Sequence, residues 1–545
     1  MSRRSLKETA RQFLALTLAV ALTFYPVLVR ALPIDGKVVG GSANITQPNS
    51  TTLNINQATN KAIINWQGFS INVNELVKFN QPGAASSVLN RVTGVDPSSI
   101  FGRLIANGRV FIVNPAGIFF GPSAVVDVSG LFASTFNIKD SDFMAGKYSF
   151  SQDPAKNLAY VINKGEIKVS SDGFVFLVAP GVANESLIIA NLGKVVMASG
   201  EKFEVDFMGD GLIKFVIDGK VMRQVTGPDG NPLSSAVSNT GKIQADGGQV
   251  VLAAKASKDI FSSVVNNSGV IEARSLVGRA GSIRLEGSDP VANTGQIGWQ
   301  NNLGKVQNAE GIVINAGTLD VSALEAGAAP GEVTLSGQLV GVSVTILARG
   351  ADGAQGGRVL ITSTEKTVLT STSRIDTSGI GNSSAGNAVI WSDRDTIYKG
   401  WIVARGGEFG GDGGNVEVSG WENLNFRGMV DLSAASGTVG TLLLDPATLT
   451  ITGGTNDGAA DGNNTFAGDV GAVAGKIEFQ DATPTTVYES EIEGVNAAIV
   501  LEGTKTVTTA GDFTDDAVTI QTNNNLTIRT RNTAGDTAGE INLTA

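Results

Sequence analysis

Two pairs of aspartates are spaced so that each pair could work together in acid–base chemistry. Asp393 and Asp395 are two residues apart, as are Asp140 and Asp142. On a β-strand such residues share a face, and glycoside hydrolysis needs two carboxylates at a defined separation. A solvated turn accounts for the same pattern, and we favour it. The chain has no histidine, the commonest general base, and no cysteine nucleophile. The sequence therefore predicts a protein that is not an enzyme.

The residue types of this chain offer few ligands for a metal ion or a cofactor. Without cysteine and histidine the chain offers no thiolate or imidazole ligand. Asp412 lies in a glycine-rich loop, but the Gly-Gly-x-Gly-x-Asp order of a calcium-binding nonapeptide is not met. We therefore expect no metal site and no cofactor. Tryptophans are able to stack on sugars, although core or corner packing accounts for most of them; they are Trp66, Trp299, Trp391, Trp401 and Trp421.

The charge balance is acidic, with 40 Lys and Arg against 51 Asp and Glu and a net charge of −11. No segment rich in Lys or Arg follows the N-terminus. Because phosphate binding needs clustered positive charge, a nucleic-acid groove is excluded. Arg91, Arg103 and Arg109 form a small basic group, which we interpret as salt-bridge partners in the cap, with a carbohydrate or transporter contact as the alternative.

A turn motif stands out between residues 107 and 118. An alternating apolar strand, Arg109 to Val113, runs into Asn114-Pro115, and a second strand begins at Ile118 after Gly117. Asparagine hydrogen-bonds its local backbone and proline presets φ, so the motif predicts a fixed turn between two strands.

The elements around this turn have the pattern of a solenoid. From about residue 160 the unit Asn-x-Gly-x-apolar recurs, with its asparagine at Asn163, Asn191, Asn239, Asn267, Asn293 and Asn315. Asn and Gly tolerate positive φ and supply corners, and the alternation after each corner points Ile271 and Ala273 inward and Glu272 outward. Short strands in a repeat of this length predict a β-solenoid, with asparagines stacking at the corners. An antiparallel sandwich is the alternative, and it does not explain the repeats.

Several segments depart from the repeat. Lys202 to Ile217 carries a hairpin pattern around Gly209-Asp210-Gly211, which predicts an extra β-ribbon projecting from the rod. We divide the chain into a β-helix region at 151–446 with this insertion near 200–220, a linker or loop at 447–475, and further β repeats at 476–545. No capping pattern precedes Ala545, as expected if the repeats continue in a longer chain.

The N-terminus has the features of a secretory signal peptide, residues 1–31. Arg3, Arg4 and Lys7 precede the apolar run Phe13 to Val29, and Ala31 completes a signal-peptidase site. No later apolar run reaches the ~18 residues of a membrane span. We therefore expect no membrane span after cleavage.

Residues 32–150 resemble the N-terminal secretion domain of the filamentous haemagglutinin family, the exported partner of two-partner secretion. The motifs that carry the resemblance are Ile64-Asn65-Trp66-Gln67, Val77-Lys78-Phe79-Asn80-Gln81-Pro82, Ser87-Val88-Leu89-Asn90-Arg91-Val92, Asn107 to Ile118 and Val128 to Thr135. Two departures exist. Ala116 replaces the central Asn of the family's Asn-Pro-Asn-Gly-Ile motif. The family's Asn-Pro-Asn-Leu motif is missing from this sequence, and Asn80-Gln81-Pro82 takes a similar place.

The resemblance implies an all-β fold, a right-handed parallel β-helix with an N-terminal cap and extra-helical β-hairpins. It implies export through an outer-membrane β-barrel transporter with POTRA domains, and a secreted or cell-surface location. Transporter-recognition residues carried over from the motifs are Asn114, Pro115, Gly117, Ile118, Asn80 and Pro82. The expected function is adhesion to cells, surfaces or glycans, with the host or surface ligand open. The alternatives are a secreted β-helix polysaccharide lyase or hydrolase, and the N-terminal carrier part of a longer toxin.

Overall fold

A computed structural model describes residues 32–206, 214–257, 260–287, 311–452, 477, 486–488, 491–492, 495–503, 506–510, 524–530 and 540–542. The expected signal peptide, Asn293, Trp299 and residues 453–475 lie outside these ranges. Within them no helix is long and apolar enough to cross a membrane.

The chain is built almost wholly from short strands. The elements up to residue 151 are β1 (Lys37–Gly40), β2 (Ala43–Asn49), β3 (Thr52–Gln57), β4 (Lys61–Trp66), β5 (Leu76–Asn80), β6 (Ser87–Val92), β7 (Ser98–Ile100), β8 (Arg103–Ala106), β9 (Arg109–Val113), β10 (Ile118–Phe120), β11 (Val125–Ser134), the helix α1 (Asp140–Ala145) and β12 (Tyr148–Ser151). The next are β13 (Tyr160–Asn163), β14 (Glu166–Val178), β15 (Gly181–Asn184), β16 (Leu187–Ile189), β17 (Lys194–Ser199), β18 (Lys202–Asp206), β19 (Lys214–Asp218), β20 (Ser235–Asn239), β21 (Lys242–Gln244), β22 (Gln249–Ala254), β23 (Ser263–Asn267), β24 (Val270–Glu272) and β25 (Ser282–Glu286).

The second half continues in the same way. Its strands are β26 (Ile312–Asn315), β27 (Thr318–Asp320), β28 (Glu332–Val342), β29 (Thr345–Leu347), β30 (Arg358–Leu369), β31 (Arg374–Asp376), β32 (Asn387–Ser392), β33 (Asp395–Tyr398), β34 (Trp401–Val403), β35 (Asn415–Gly420), β36 (Asn423–Phe426), β37 (Met429–Asp431), β38 (Thr441–Leu444), β39 (Thr448–Thr452), β40 (Thr486–Tyr488), β41 (Ala498–Gly503), β42 (Thr506–Ala510), β43 (Leu526–Thr530) and β44 (Glu540–Asn542).

Pairing between successive coils is parallel and defines three faces. Face A contains β10, β13, β15, β20, β23 and β26. Face B contains β5, β8, the start of β11, β16, β21, β24 and β27. Face C contains β6, β9, the end of β11, β17, β22 and β25. Apart from α1, β12, β18 and β19, the described strands from β7 to β27 follow the order A, B, C, so the fold is the expected parallel β-helix.

The interior is a column of aliphatic side chains stacked in register. On face B the column consists of Val77, Leu104, Val126, Ile167, Ile188, Ile243, Ile271, Leu319, Ile346, Ile375, Ile402 and Val430, none more than 2% exposed. The inward prediction for Ile271 and Ala273 is confirmed, since both are fully buried. Glu272 points outward and pairs with Lys242 at 3.1 Å and Arg274 at 3.3 Å.

The N-terminal end of the column is covered by antiparallel strands. β1 pairs with β4, and β2 pairs with β3 in a hairpin. Only from β3 and β4 onward is the pairing between coils parallel. The predicted N-terminal cap is therefore confirmed.

Asparagines form a buried ladder at the corner between faces A and B. Each Nδ2 donates to the Oδ1 of the next at 2.8 Å, through Asn163, Asn184, Asn239, Asn267 and Asn315. The predicted stacking is confirmed, but one member was assigned wrongly. Asn191 lies at the corner between faces B and C, where its Oδ1 accepts the Asp246 N–H at 3.3 Å. Asn184 occupies the position in the ladder that was predicted for Asn191.

The hairpin predicted at 202–217 forms, with β18 antiparallel to β19. It does not project from the rod, because β12 adds as a third strand and the sheet packs on the outside of face C. Rings fill the space beneath: Phe132 stacks on Phe150 at 4.2 Å and on Phe111 at 5.3 Å. We call this three-stranded sheet the covering sheet.

The expected linker at 447–475 is wrong at its start. Thr448–Thr452 forms β39, which pairs in parallel with β42 and β40. The alternation of Leu449 and Ile451, both buried, provides the apolar side of this strand.

Candidate functional site

The Asn114 turn lies at the corner between faces C and A, directly after β9. The Asn114 side chain is fully buried. Its Nδ2 donates to Asp96 O and to Ser98 Oγ, both at 3.0 Å, and its Oδ1 accepts the Ala116 N–H at 2.9 Å. One side chain therefore closes its own turn and ties it to the preceding coil.

The rest of the motif completes this turn. Gly117 has φ +119°, a conformation unfavourable for residues with a side chain, and its N–H donates to Asn114 O at 3.1 Å. Ile118 is fully buried in the core, whereas Pro115 is half-buried. The folded turn exposes little beyond Pro115 and Ala116.

The second motif, Asn80 to Pro82, lies at a different corner, between faces B and C. Asn80 and Pro82 are exposed, and Asn80 Nδ2 donates to Asn56 Oδ1 at 2.8 Å on the previous coil. Between them Gln81 is buried, and its backbone exchanges two hydrogen bonds with the Asn107 side chain, at 2.7 and 2.8 Å. The fold therefore does not bring the two motifs together. They form two separate turns: the Asn114 turn is largely buried, whereas Asn80 and Pro82 are exposed.

The residues considered for other chemistry are held by structural contacts. Arg91 pairs with Asp140 at 2.6 Å, as expected for a salt bridge in the cap region. Arg109 lies over the Phe174 ring at 5.7 Å on face C, while Arg103 is on face B. The three arginines do not form one cluster.

The candidate carboxylate pair is also separated. Asp393 lies in a turn and accepts Trp391 Nε1 at 3.0 Å. Asp395 begins β33, accepts Asn423 Nδ2 at 2.8 Å and lies 3.6 Å from Lys366 Nζ. Each aspartate thus has its own partners.

Two buried glutamates have raised pKa values. Burial raises the pKa of Glu286 despite its partner Arg284, and burial raises the pKa of Glu491 to about 7 against the charge of Arg427. They lie on well-separated coils, so they do not form a catalytic pair. The described residues contain no group of three or more acidic side chains placed to hold a metal ion.

Sequence reasoning missed the polar residues that fix the corners. Gln81 Nε2 donates to Gln57 Oε1 at 3.1 Å, so these glutamines stack between coils as the asparagines do. Asp320, Asp376 and Asp431 each accept the N–H of a serine two residues on, at 2.9 to 3.1 Å. The three aspartates could have been identified from the sequence, because the spacing Asp-x-Ser recurs at this corner.

Comparison with known proteins agrees with this architecture. A family model described as the TPS secretion domain matches residues 32–299, well past residue 150. A heme/hemopexin-binding protein of Haemophilus influenzae strain Rd is 34% identical over 270 residues, covering 48% of this chain and 28% of the relative. A second Haemophilus influenzae heme/hemopexin-binding protein is 28% identical over 282 residues, covering 48% and 29%. This chain therefore spans less than a third of the length of these relatives.

A solved structure extends the likeness to the fold. The crystal structure of the HMW1 secretion domain from Haemophilus influenzae superposes with a TM-score of 0.58 at 26% identity, covering 75% of this chain and 100% of that one. Proteins with this domain are secreted to the cell surface or the extracellular space. The capped parallel β-helix, its N-terminal motifs and these matches together identify residues 32–299 as a TPS secretion domain, and they support a two-partner secretion exoprotein.

Proposed function

We propose that this chain crosses the outer membrane through a β-barrel transporter with POTRA domains, folds outside the cell, and serves there as an adhesin. The observation that carries the export step is the TPS secretion domain at residues 32–299. A chain without cysteine suits this route, because no disulfide obstructs its passage in an unfolded state.

The recognition step is assigned to Asn114, Pro115, Gly117 and Ile118, together with Asn80 and Pro82. An extended segment adds a strand to a POTRA sheet, with main-chain bonds giving affinity and side chains giving choice. Asn114 and Ile118 are fully buried once the β-helix has formed. The transporter must therefore contact them before folding, and folding then withdraws them from it.

The test separates recognition from stability. Asn114→Ala removes the side chain bonds to Asp96 and Ser98, and Asn184→Ala removes two bonds of the asparagine ladder, so both variants lose buried hydrogen bonds. We expect Asn114→Ala to lower secretion through the transporter much more than Asn184→Ala. The exposed Asn80→Ala and Pro82→Ala should also lower secretion with little effect on stability. Equal secretion by all four variants would contradict the assignment.

The adhesive role rests on the shape of the folded chain. Stacked coils give long, rigid surfaces suited to binding extended ligands. A polysaccharide lyase or hydrolase is disfavoured because Asp393 and Asp395 have different partners, Asp393 accepting from Trp391 Nε1 and Asp395 from Asn423 Nδ2. The matched relatives are named for binding heme and hemopexin. This chain matches those relatives over less than a third of their length, so heme binding is not part of the proposed function.

A further inference from the structure

Exposed aromatic side chains are concentrated on a few neighbouring coils. Among the residues that the structure describes, the large aromatics with the most exposed surface are Trp401 at 39%, Phe409 at 71% and Trp421 at 43%. All three follow the secretion domain match, which ends at residue 299. Their coils therefore carry a surface feature that export does not explain.

Trp421 forms a pair with a fourth aromatic residue, Trp391, on one side of the rod. Trp391 is the next-to-last residue of β32 on face C, and Trp421 directly follows β35 at the same corner on the next coil. Their ring centroids are 6.4 Å apart and the rings are tilted by 52°. Trp391 Nε1 is held by Asp393 Oδ1 at 3.0 Å, which fixes the orientation of that indole. Trp401 lies on face B instead, against Arg374 at 4.8 Å.

The backbone beneath the pair is rigidly held. Trp421 N–H donates to Ser392 O at 2.9 Å, and Trp421 O accepts the Ala447 N–H at 2.9 Å from the following coil. Inside this corner Ser363 Oγ donates to Ser392 Oγ at 3.0 Å, between successive coils. The two rings are thus presented by a preorganised edge, which lowers the entropic cost of binding.

Charged groups surround the pair with an excess of negative charge. Arg394 pairs with Glu422 at 3.2 Å and Lys366 lies 3.6 Å from Asp395 at the start of β33, so Asp393 in the preceding turn supplies the excess. An acidic ligand is therefore repelled. A protein partner needs roughly 800 Å² on each side for a stable interface, much more than two indole faces supply.

We propose that Trp391 and Trp421, with Asp393 and Glu422, form a binding site for a neutral saccharide. A sugar ring offers an apolar C–H face to an indole, and its hydroxyls donate to carboxylates at the rim. Indoles combine apolar area with a hydrogen-bonding edge, which suits such a ligand. The proposal narrows the proposed adhesive function to a carbohydrate ligand, and it is independent of the export step.

The test uses the intact secreted chain and a panel of immobilised neutral oligosaccharides ending in glucose, galactose or N-acetylglucosamine. Each is placed beside its sialylated or sulfated counterpart. We expect binding to at least one neutral member, with affinity reduced about tenfold or more in Trp421→Ala. Trp401→Ala is the matched control, an equally exposed tryptophan on another face, and should bind as the wild type does. Glu422→Gln is a second, milder variant that should weaken binding without disturbing the fold.

Each other outcome overturns the site. These outcomes are no saccharide bound by the wild type, tighter binding of the acidic counterparts, undiminished binding by Trp421→Ala and Glu422→Gln, or an equal loss in Trp401→Ala. Secretion of Trp421→Ala is measured in the same cultures and should equal that of the wild type. Failure of the saccharide site would leave export intact, whereas failure of export would prevent all variants from reaching the medium.

Discussion

The asparagine ladder provides a sharp test of the corner geometry through the substitution Asn239→Ala. Asn239 is fully buried between its neighbours. It accepts Asn184 Nδ2 and donates to Asn267 Oδ1, both at 2.8 Å. The substitution removes both bonds and leaves an amide N–H and an amide oxygen facing a methyl group.

The expected loss of stability follows from the two groups left without a hydrogen bond, Asn184 Nδ2 and Asn267 Oδ1. Leaving a buried polar group unsatisfied costs about 1–3 kcal/mol, so the two groups left by Asn239→Ala should lower the free energy of unfolding by about 2–6 kcal/mol. Asn239→Asp is informative because a carboxylate can accept from Asn184 but cannot donate to Asn267. We expect it to be destabilising as well. The control Lys242→Ala changes an outward side chain on the next strand, 43% exposed, and should cost less than about 1 kcal/mol.

The assay is urea unfolding of the purified mature chain, with the midpoint and slope fitted for each variant. A loss in Asn239→Ala no greater than in Lys242→Ala would refute the view that the ladder stabilises the corner. Wild-type stability of Asn239→Asp would likewise show that the donor direction assigned to Asn239 is wrong.

Three further predictions concern the core, the covering sheet and pH. Ile271→Asp should cost several kcal/mol in urea unfolding because it buries an unpaired carboxylate, whereas Glu272→Gln, which loses only surface ion pairs, should cost about 1 kcal/mol or less; equal losses would place the strand in the wrong register. Phe132→Ala should cost about 3–5 kcal/mol and speed proteolysis of the covering sheet, and unchanged proteolysis would argue against that packing. Burial raises the pKa of Glu491 from 4.5 to about 7, so the folded chain holds a proton that the unfolded chain releases in this window. Stability should therefore fall as pH rises from 4.5 through 7, and Glu491→Gln should flatten this dependence; equal slopes would contradict it.

The sequence was sufficient to predict the repeat, because its signals are local. Alternation after the Asn-x-Gly corner correctly placed Ile271 inside, and turn residues marked the hairpin, whereas the N-terminal cap was expected from the family resemblance. Asn184 was missed because Glu185-Ser186 follows it, so the corner lacks the glycine that marked the others. Asn191 has the Asn-x-Gly pattern but serves another corner. A motif of three residues cannot say which of three corners it occupies.

The contacts that determine the site were beyond local patterns. The covering sheet joins Phe150 to Phe203, residues far apart in the chain, and neither strand has a motif that names its partner. Asn114 was identified as a turn residue, but its complete burial depends on Asp96 and Ser98 of the preceding coil. The Trp391–Trp421 pair likewise arises from coil register, which brings residues 30 positions apart into contact.

The central claim is export by two-partner secretion, and its most direct test is the location of the full chain with and without its cognate outer-membrane transporter. We predict that the chain accumulates at the cell surface or in the medium when the transporter is present, and is retained in the periplasm when it is absent. Retention in the periplasm beside a functional transporter, or equal release without one, would contradict the account.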